Sequence, residues 1–337
     1  MVSLFKMLLG YSLILFSAIF AQFPETVHPG YSLVNLRPAT FQPRGIGGMD
    51  FLADGTLAIC TWGGYRTATG EVYLISGVDG TGPGSVQVRK IAQGLVEPMG
   101  LKGVNGEIYV MQQTELSKII VPVGTALALP TRVVGGWAPP VGDWSYGLVY
   151  KDGSFYGTQG GWGSGPPLTK DQNSWLKLTP GVGYQVLAGG LRNADGIDLG
   201  PDGEMFATDN QGNWLPSSKL IHLRIGRFYG HRYNALNPFA NGAESPPAVW
   251  VPHGAIGFSP THPILVPSGV YQGQMLAGDV HFGGMARYFL ERVKDSINIA
   301  QYQGAVFRFT GGLECGVHRL LFDKAGAIYM WGASQCC

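Results

Sequence analysis

One unit recurs along this chain: a lead-in of small residues, an apolar strand, an Asp-Gly or Asn-Gly turn, then a second strand rich in Tyr, Phe and Val. It reads GGMDFLADGTLAICTW, PMGLKGVNGEIYVMQQ, YGLVYKDGSFYGTQG and DGIDLGPDGEMFATDN, and returns near the end as VHRLLFDKAGAIYMWG. The turn glycines Gly55, Gly106, Gly153 and Gly203 are 51, 47 and 50 residues apart. Gly326 lies 123 residues beyond Gly203, room for two units, and HGAIGFSPTHPILVP with GQMLAGDV and MARYFLERV supplies the missing one. Asp-Gly and Asn-Gly provide the positive φ that two-residue hairpin turns require. A period of about 40 to 50 residues with several short strands is how a propeller blade is written in sequence. The six units predict an all-β fold, a six-bladed β-propeller. No window of about twelve residues keeps the apolar period of a helix, which excludes a helical repeat.

The ends of the chain set the domain organisation. Lys6 followed by the apolar run Met7 to Ala21 reads as a signal peptide over residues 1–21, too short and too poorly flanked to span a membrane. Residues 22–337 then form a single propeller domain, expected outside the cytoplasm as a secreted protein. YSLVNLRP, residues 31–38, is the expected strand that closes the ring onto the last blade. The sixth unit stops after its second strand at MWGASQCC, so the last blade is expected to be incomplete at the C-terminus, by truncation, with an exposed edge.

Composition narrows the partners. Charged residues make up 13% of the chain and the formal charge is +1, which gives no electrostatic case for nucleic acid or an anionic membrane surface. The 52 glycines follow no Gly-X-Y period and are explained by tight turns. Cys60, inside LAICTW, reads as a buried thiol, whereas Cys315 and the vicinal Cys336–Cys337 are candidates for bridges in an oxidising compartment. Metalloprotease, P-loop and nucleophile-elbow motifs are absent, and the glycine-rich GTGPGSV precedes no helix. His28, His222 and His231 have no partner at metal spacing and read as structural.

In a propeller the segments entering the innermost strands converge on one mouth, where ligands sit. Arg192 and Asn193 enter such a strand, and the run from Asp209 to Asn213 leaves the second strand of the same blade at the same end. Arg44, Asp50, Glu97, Asp143, Trp144 and Tyr146 are the equivalents from earlier blades. His253, Asp279, His281, His318 and Arg319 are those from later ones. Such a set around a concavity suits a polar, ring-shaped ligand.

RNADGIDLGPDGEMFATDNQGNW and SSKLIHLRIGRFYGH, with PHGAIGFSP, GQMLAGDVHFGG and YQGAVFRFTGGLECGVHRLLF, resemble the glucose/sorbosone dehydrogenase-like family of soluble pyrroloquinoline-quinone (PQQ) sugar dehydrogenases. The resemblance implies that Arg192 and Asn193 reach cofactor and substrate, that Arg319 contacts the quinone, and that His281 is a looser match to a further basic contact. It implies calcium (Ca2+) held through Gln211 and Gly212. Two departures stand out. GDWSYG keeps Asp143 but carries Trp144 where the family has its catalytic histidine, and an indole cannot accept a proton. Ser217-Ser218-Lys219 replaces the acidic residues that would hold calcium.

The expected function is therefore a secreted quinoprotein-like oxidoreductase acting on a sugar hydroxyl or lactol. PQQ would lie at the mouth, and Asp143, His253 or His281 would stand in as the base; the electron acceptor is unspecified. The alternatives are a non-redox hydrolase or lyase on carbohydrate, and an inactive carbohydrate-binding propeller.

Overall fold

The computed structural model describes residues 26–332 apart from 44, 81, 140–141, 162–167, 212–216, 295–299 and 314. The predicted hairpins form where the turn chemistry put them. Asn105 and Gly106 have φ of 52° and 81°, and Asp152 and Gly153 have 50° and 75°, the doubly positive pattern that matches the twist of the flanking strands.

Blade 1 comprises β1 Ile46–Phe51, β2 Leu57–Thr61, β3 Gly70–Ser76 and β4 Gln87–Leu95. Blade 2 comprises β5 Gly100–Val104, β6 Glu107–Met111, β7 Glu115–Ile120 and β8 Thr131–Gly135. Blade 3 follows with β9 Asp143–Lys151, β10 Ser154–Gly161, β11 Ser174–Thr179 and β12 Gly183–Gly189. Blade 4 holds β13 Gly196–Leu199, β14 Met205–Asp209, β15 Ser217–His222 and β16 Val249–Pro252. Blade 5, the unit inferred without a clear turn glycine, holds β17 Pro260–Leu265, β18 Met275–Asp279, β19 Gly284–Lys294 and β20 Ala300–Thr310. The sixth sheet has two strands among the described residues, β21 Val317–Phe322 and β22 Ile328–Gly332. Every sheet is an antiparallel meander in chain order.

The first strands of successive blades, β1, β5, β9, β13, β17 and β21, lie side by side, and β21 returns to β1. Glycine makes that ring possible. A Cβ on Gly48 would lie 2.4 Å from Leu101 N, one on Gly100 2.3 Å from Gly147 O, one on Gly147 2.5 Å from Ile197, and one on Gly196 2.4 Å from His262 Cα. The small residues that lead each unit are therefore the joints between inner strands. Six apolar clusters fill the spaces between neighbouring blades. The last joins Ile46, Met49, Leu57 and Ile59 of blade 1 to Leu321, Tyr329 and Trp331 of the sixth sheet. Cys60 is buried in the cluster between blades 1 and 2, as the sequence suggested.

Closure differs from expectation. Residues 31–38 form no strand, and Tyr31, Leu33 and Val34 are exposed. Leu36 and Phe41 pack instead as coil over the seam between blade 1 and the sixth sheet, with Phe41 edge-on to Trp331. Alternating apolar residues can cover a seam as readily as extend a sheet, so the pattern alone misled. The outer edge of β22 is unpaired among the described residues. Residues 1–21, Cys336 and Cys337 lie outside the described residues.

Candidate functional site

The mouth is organised by two buried carboxylates in equivalent places. Asp209, the last residue of β14, accepts the backbone N–H of Asn193 at 2.7 Å and of Arg192 at 3.1 Å. Asp279, the last residue of β18, accepts from Phe258 and Ser259 through one oxygen and from His281 and Phe282 through the other, all at 2.8–2.9 Å. In these two blades an acid at the end of the second strand fixes the chain that enters the first. Gly161 N donates to Arg192 O at 2.8 Å, and a Cβ on Gly160 would come within 2.5 Å of that same oxygen. Arg192 thus lies directly against the end of blade 3.

A long connection between β15 and β16, residues 223–248, braces this arrangement from outside. Asn234 and Asn237 donate to Gln172 O at 3.1 and 3.0 Å, and His231 N donates to Gly190 O at 2.9 Å. Lys219 is buried, donates to Tyr229 O at 2.7 Å, and stands opposite Asp209 across the β14–β15 ladder. The amine replaces the acidic residue of the resemblance with a post that holds the connection down.

Around the rim the predicted residues come together. Asp143 is fully buried and pairs with Gly161 across the β9–β10 ladder, next to Arg192. Asn210 N donates to Asn193 O at 3.4 Å and its side-chain amide to Ser259 Oγ at 2.9 Å, linking blades 4 and 5. His253 and His281 gather around Phe258, with ring centroids 4.4 and 5.9 Å from it. The described residues leave several buried polar atoms here without a hydrogen-bond partner. They are Arg192 Nε, Asn193 Oδ1 and His253 Nδ1. A buried polar atom without a partner is costly unless something else supplies one.

Arg319 lies below the rim, in the channel, and is 3% exposed. Its guanidinium donates to Gly47 O, Met99 O, Asp195 O and His318 O and to the Asp195 carboxylate, all at 2.7–3.2 Å. Asp195 also faces His318 Nε2 at 3.0 Å, and His318 Nδ1 donates to Ile46 O at 2.7 Å. Burial alone would raise the Asp195 carboxyl, but His318 and Arg319 hold it below the usual carboxylate range. Asp50, expected at the mouth, sits instead at the far end of the channel, where it accepts from Lys102 Nζ at 3.0 Å and Gly103 N at 2.9 Å. Burial pushes Asp198 up to about 6 and His262 down to about 3 in the same stretch.

Arg44, Gly212 and Asn213 lie outside the described residues, and Gln211 is half-buried beside Asn210. Among the described residues no three His, Cys, Asp or Glu side chains gather as a metal site.

Sequence reasoning passed over two residues that the fold brings to the mouth. Tyr65 lies in the β2–β3 loop and crosses to blade 3, where Gly142 N donates to its hydroxyl at 2.6 Å. His231 is buried, with Asp209, Arg192 and Lys219 as its charged neighbours, and burial, above all, lowers it to about 4. Only the run SSKLIHLRIGRFYGH within the resemblance pointed toward it.

A ring of inner strands around a polar mouth defines this chain as a β-propeller, and solved structures share that fold. The fold is similar to the PQQ-bound aldose sugar dehydrogenase from Streptomyces coelicolor, with a TM-score of 0.63 and 15% identity over 91% of this chain and 94% of that one. It is similar to the PQQ domain of pyranose dehydrogenase from Coprinopsis cinerea in its holo form, with a TM-score of 0.61 and 11% identity over 94% and 96%. The soluble aldose sugar dehydrogenase from Escherichia coli in the apo form gives a TM-score of 0.61 and 11% identity over 87% and 94%. At these identities the likeness bears out the fold the sequence predicted. No protein-family model matches the chain, and no curated protein matches it.

Proposed function

We propose that this protein is an exported sugar oxidoreductase of the quinoprotein type, with PQQ and the sugar meeting at the mouth around Arg192. The observation that carries the reading is the pair of buried, unpartnered polar atoms on the adjacent Arg192 and Asn193, set on a backbone pinned by Asp209. These groups fit a planar quinone bearing carboxylates. Arg192 would face an anionic or carbonyl oxygen, and Asn193 would complete its hydrogen bonds. When bound, the quinone would supply a two-electron acceptor for the sugar. Arg319, already committed to protein oxygens, would act beneath it by fixing Asp195 and the inner strands.

The chain's own residues then have to orient a hydroxyl and take its proton. Asp143 is sealed under Gly161, and Trp144 has no basic nitrogen. His281 is exposed at the rim and His253 lies beside it across Phe258, and either imidazole would serve as the proton acceptor. Calcium does not fit the described side chains. Asp209 is engaged by two amides and faced by Lys219, and Gln211 is the one remaining predicted ligand among the described residues. No step is assigned to it.

The test is reconstitution of the recombinant protein with PQQ, with and without Ca2+, then gel filtration and reduction of a dye by aldoses. Retained quinone absorbance and sugar-dependent dye reduction are expected, with Arg192→Ala losing the quinone. No retained quinone and no dye reduction with any aldose would refute the reading.

A further inference from the structure

The loop between β2 and β3, residues 62–69, does not stay over its own blade. It spans the top of blade 2 and is anchored on the lead-in to β9. Gly142 N donates to the Tyr65 hydroxyl at 2.6 Å, and Arg66 donates to Pro139 O at 3.1 Å. The crossing needs backbone that most residues avoid: Gly63, Gly64 and Arg66 all have positive φ. Its product is a contact between Tyr65 and Trp144, edge to face with centroids 6.0 Å apart.

Trp144 is held from a third blade. Its indole N–H donates to Glu97 Oε1 at 3.1 Å, and Trp62 and the Arg66 backbone also bear on that carboxylate. Glu97 is 1% exposed and has φ of 46°, an unusual conformation for a residue with a Cβ. Burial pushes its carboxyl above the usual range. A buried acid in a left-handed backbone conformation, with an indole N–H as its side-chain donor, is an expensive way to orient one aromatic ring. The polar tips of both rings are thereby occupied. Tyr65 remains 39% exposed and Trp144 half-buried, an aromatic surface in an otherwise polar mouth. It adjoins the site already described, because Trp144 pairs with Gly160, which abuts Arg192.

We propose that Tyr65 and Trp144 form a stacking subsite for one C–H face of a pyranose ring, and that Glu97 is the positioning residue that sets the angle of Trp144. The inference rests on the sugar reading above and names the part of the mouth that recognises the ring. A pyranose presents axial C–H groups on one face and hydroxyls around its edge. The aromatic pair matches the face, and Arg192 and Asn193 match the edge. The ligand class is therefore a cyclic pyranoside, and an open-chain polyol of the same formula type is excluded for lack of a face.

Isothermal titration of the protein without quinone or metal, using methyl α-D-glucopyranoside, D-glucose and sorbitol, reads this directly. Binding of both ring sugars and none of sorbitol is expected. Tyr65→Ala, at a partly exposed position, should weaken ring-sugar binding about tenfold, the order expected for losing one aromatic contact. Trp144→Phe, which keeps a ring but loses the N–H to Glu97, should weaken it several-fold as Glu97→Ala does, and Trp144→Ala should weaken it further. Glu97→Ala should weaken it several-fold and alter the near-ultraviolet circular dichroism of the bound state, whereas Glu97→Gln, which keeps an acceptor, should restore both. Equal affinity for sorbitol, or unchanged binding in Tyr65→Ala and Trp144→Ala, overturns the subsite. Because the titration uses no cofactor, a failure to reduce dye would count against the oxidoreductase reading alone.

Discussion

Removing the Asp209 carboxylate tests the structural logic of the mouth. Asp209→Ala deletes the acceptor for two backbone amides, those of Arg192 and Asn193, at 3.1 and 2.7 Å, in a fully buried place. Hydrogen bonds to a charged acceptor contribute about 1.5–3 kcal/mol each, and the abandoned amides have no solvent to replace it. The loss should be about 3–5 kcal/mol, a large part of the roughly 5–15 kcal/mol that separates folded from unfolded chains. For a domain of this size each kcal/mol moves the midpoint by about 2–4 °C, so calorimetry should show a fall on the order of 10 °C. Asp279→Ala, which strands four amides, should cost at least as much. If either variant unfolds within about 1 kcal/mol of the parent in urea, the two loops hold their own shape and the pinning argument is wrong.

Three further outcomes follow from the same geometry. Arg319→Met should destabilise by about 3–5 kcal/mol, because it leaves Asp195 buried with half its charge partners gone; a loss under about 1 kcal/mol in denaturant titration would show the channel rearranges. His262 is lowered from its ordinary value to about 3 by burial first and by Arg319 and Lys102, so the unfolded chain takes up its proton earlier than the folded one. Unfolding free energy should therefore decline as pH falls from about 6.5 toward 3. His262→Gln should flatten that decline; Asp198, raised to about 6, acts in the opposite sense, and an unchanged slope in the variant would refute the assignment. Trp144→His exchanges the stacking indole for an imidazole at the rim and should raise the KM for a ring sugar about tenfold in quinone-loaded protein; an unchanged KM would count against the stacking subsite.

The blades were legible because what makes them is local. A positive-φ glycine in a two-residue turn leaves a mark that repeats every blade, so Gly106 and Gly153 announced their hairpins and the unit spacing announced the ring. Ring closure was not, because residues 31–38 carry the same alternation whether they pair with β22 or lie over Leu321 and Trp331. The Arg192–Asn193 pair could be placed from its position before β13. What Asp209 and Asp279 do could not, since their partners are main-chain amides that leave no trace in composition. Arg319 shows the same gap on a longer scale. Its acceptors come from residues 47, 99, 195 and 318, and only the folded ring brings those carbonyls to one guanidinium. Glu97 was placed at the mouth but its partner was not, and Tyr65 escaped notice, because their significance is a meeting across three blades.

Four hydrogen atoms, those standing where Gly48, Gly100, Gly147 and Gly196 lack a methyl, set the calibre of the axial bore. Enlarging any one of them would push apart two whole sheets, so the gauge of the central passage is fixed jointly and cannot drift one position at a time. Change is tolerated more readily in the loops above, where a strap such as residues 62–69 can be rewritten while the hub beneath stays true.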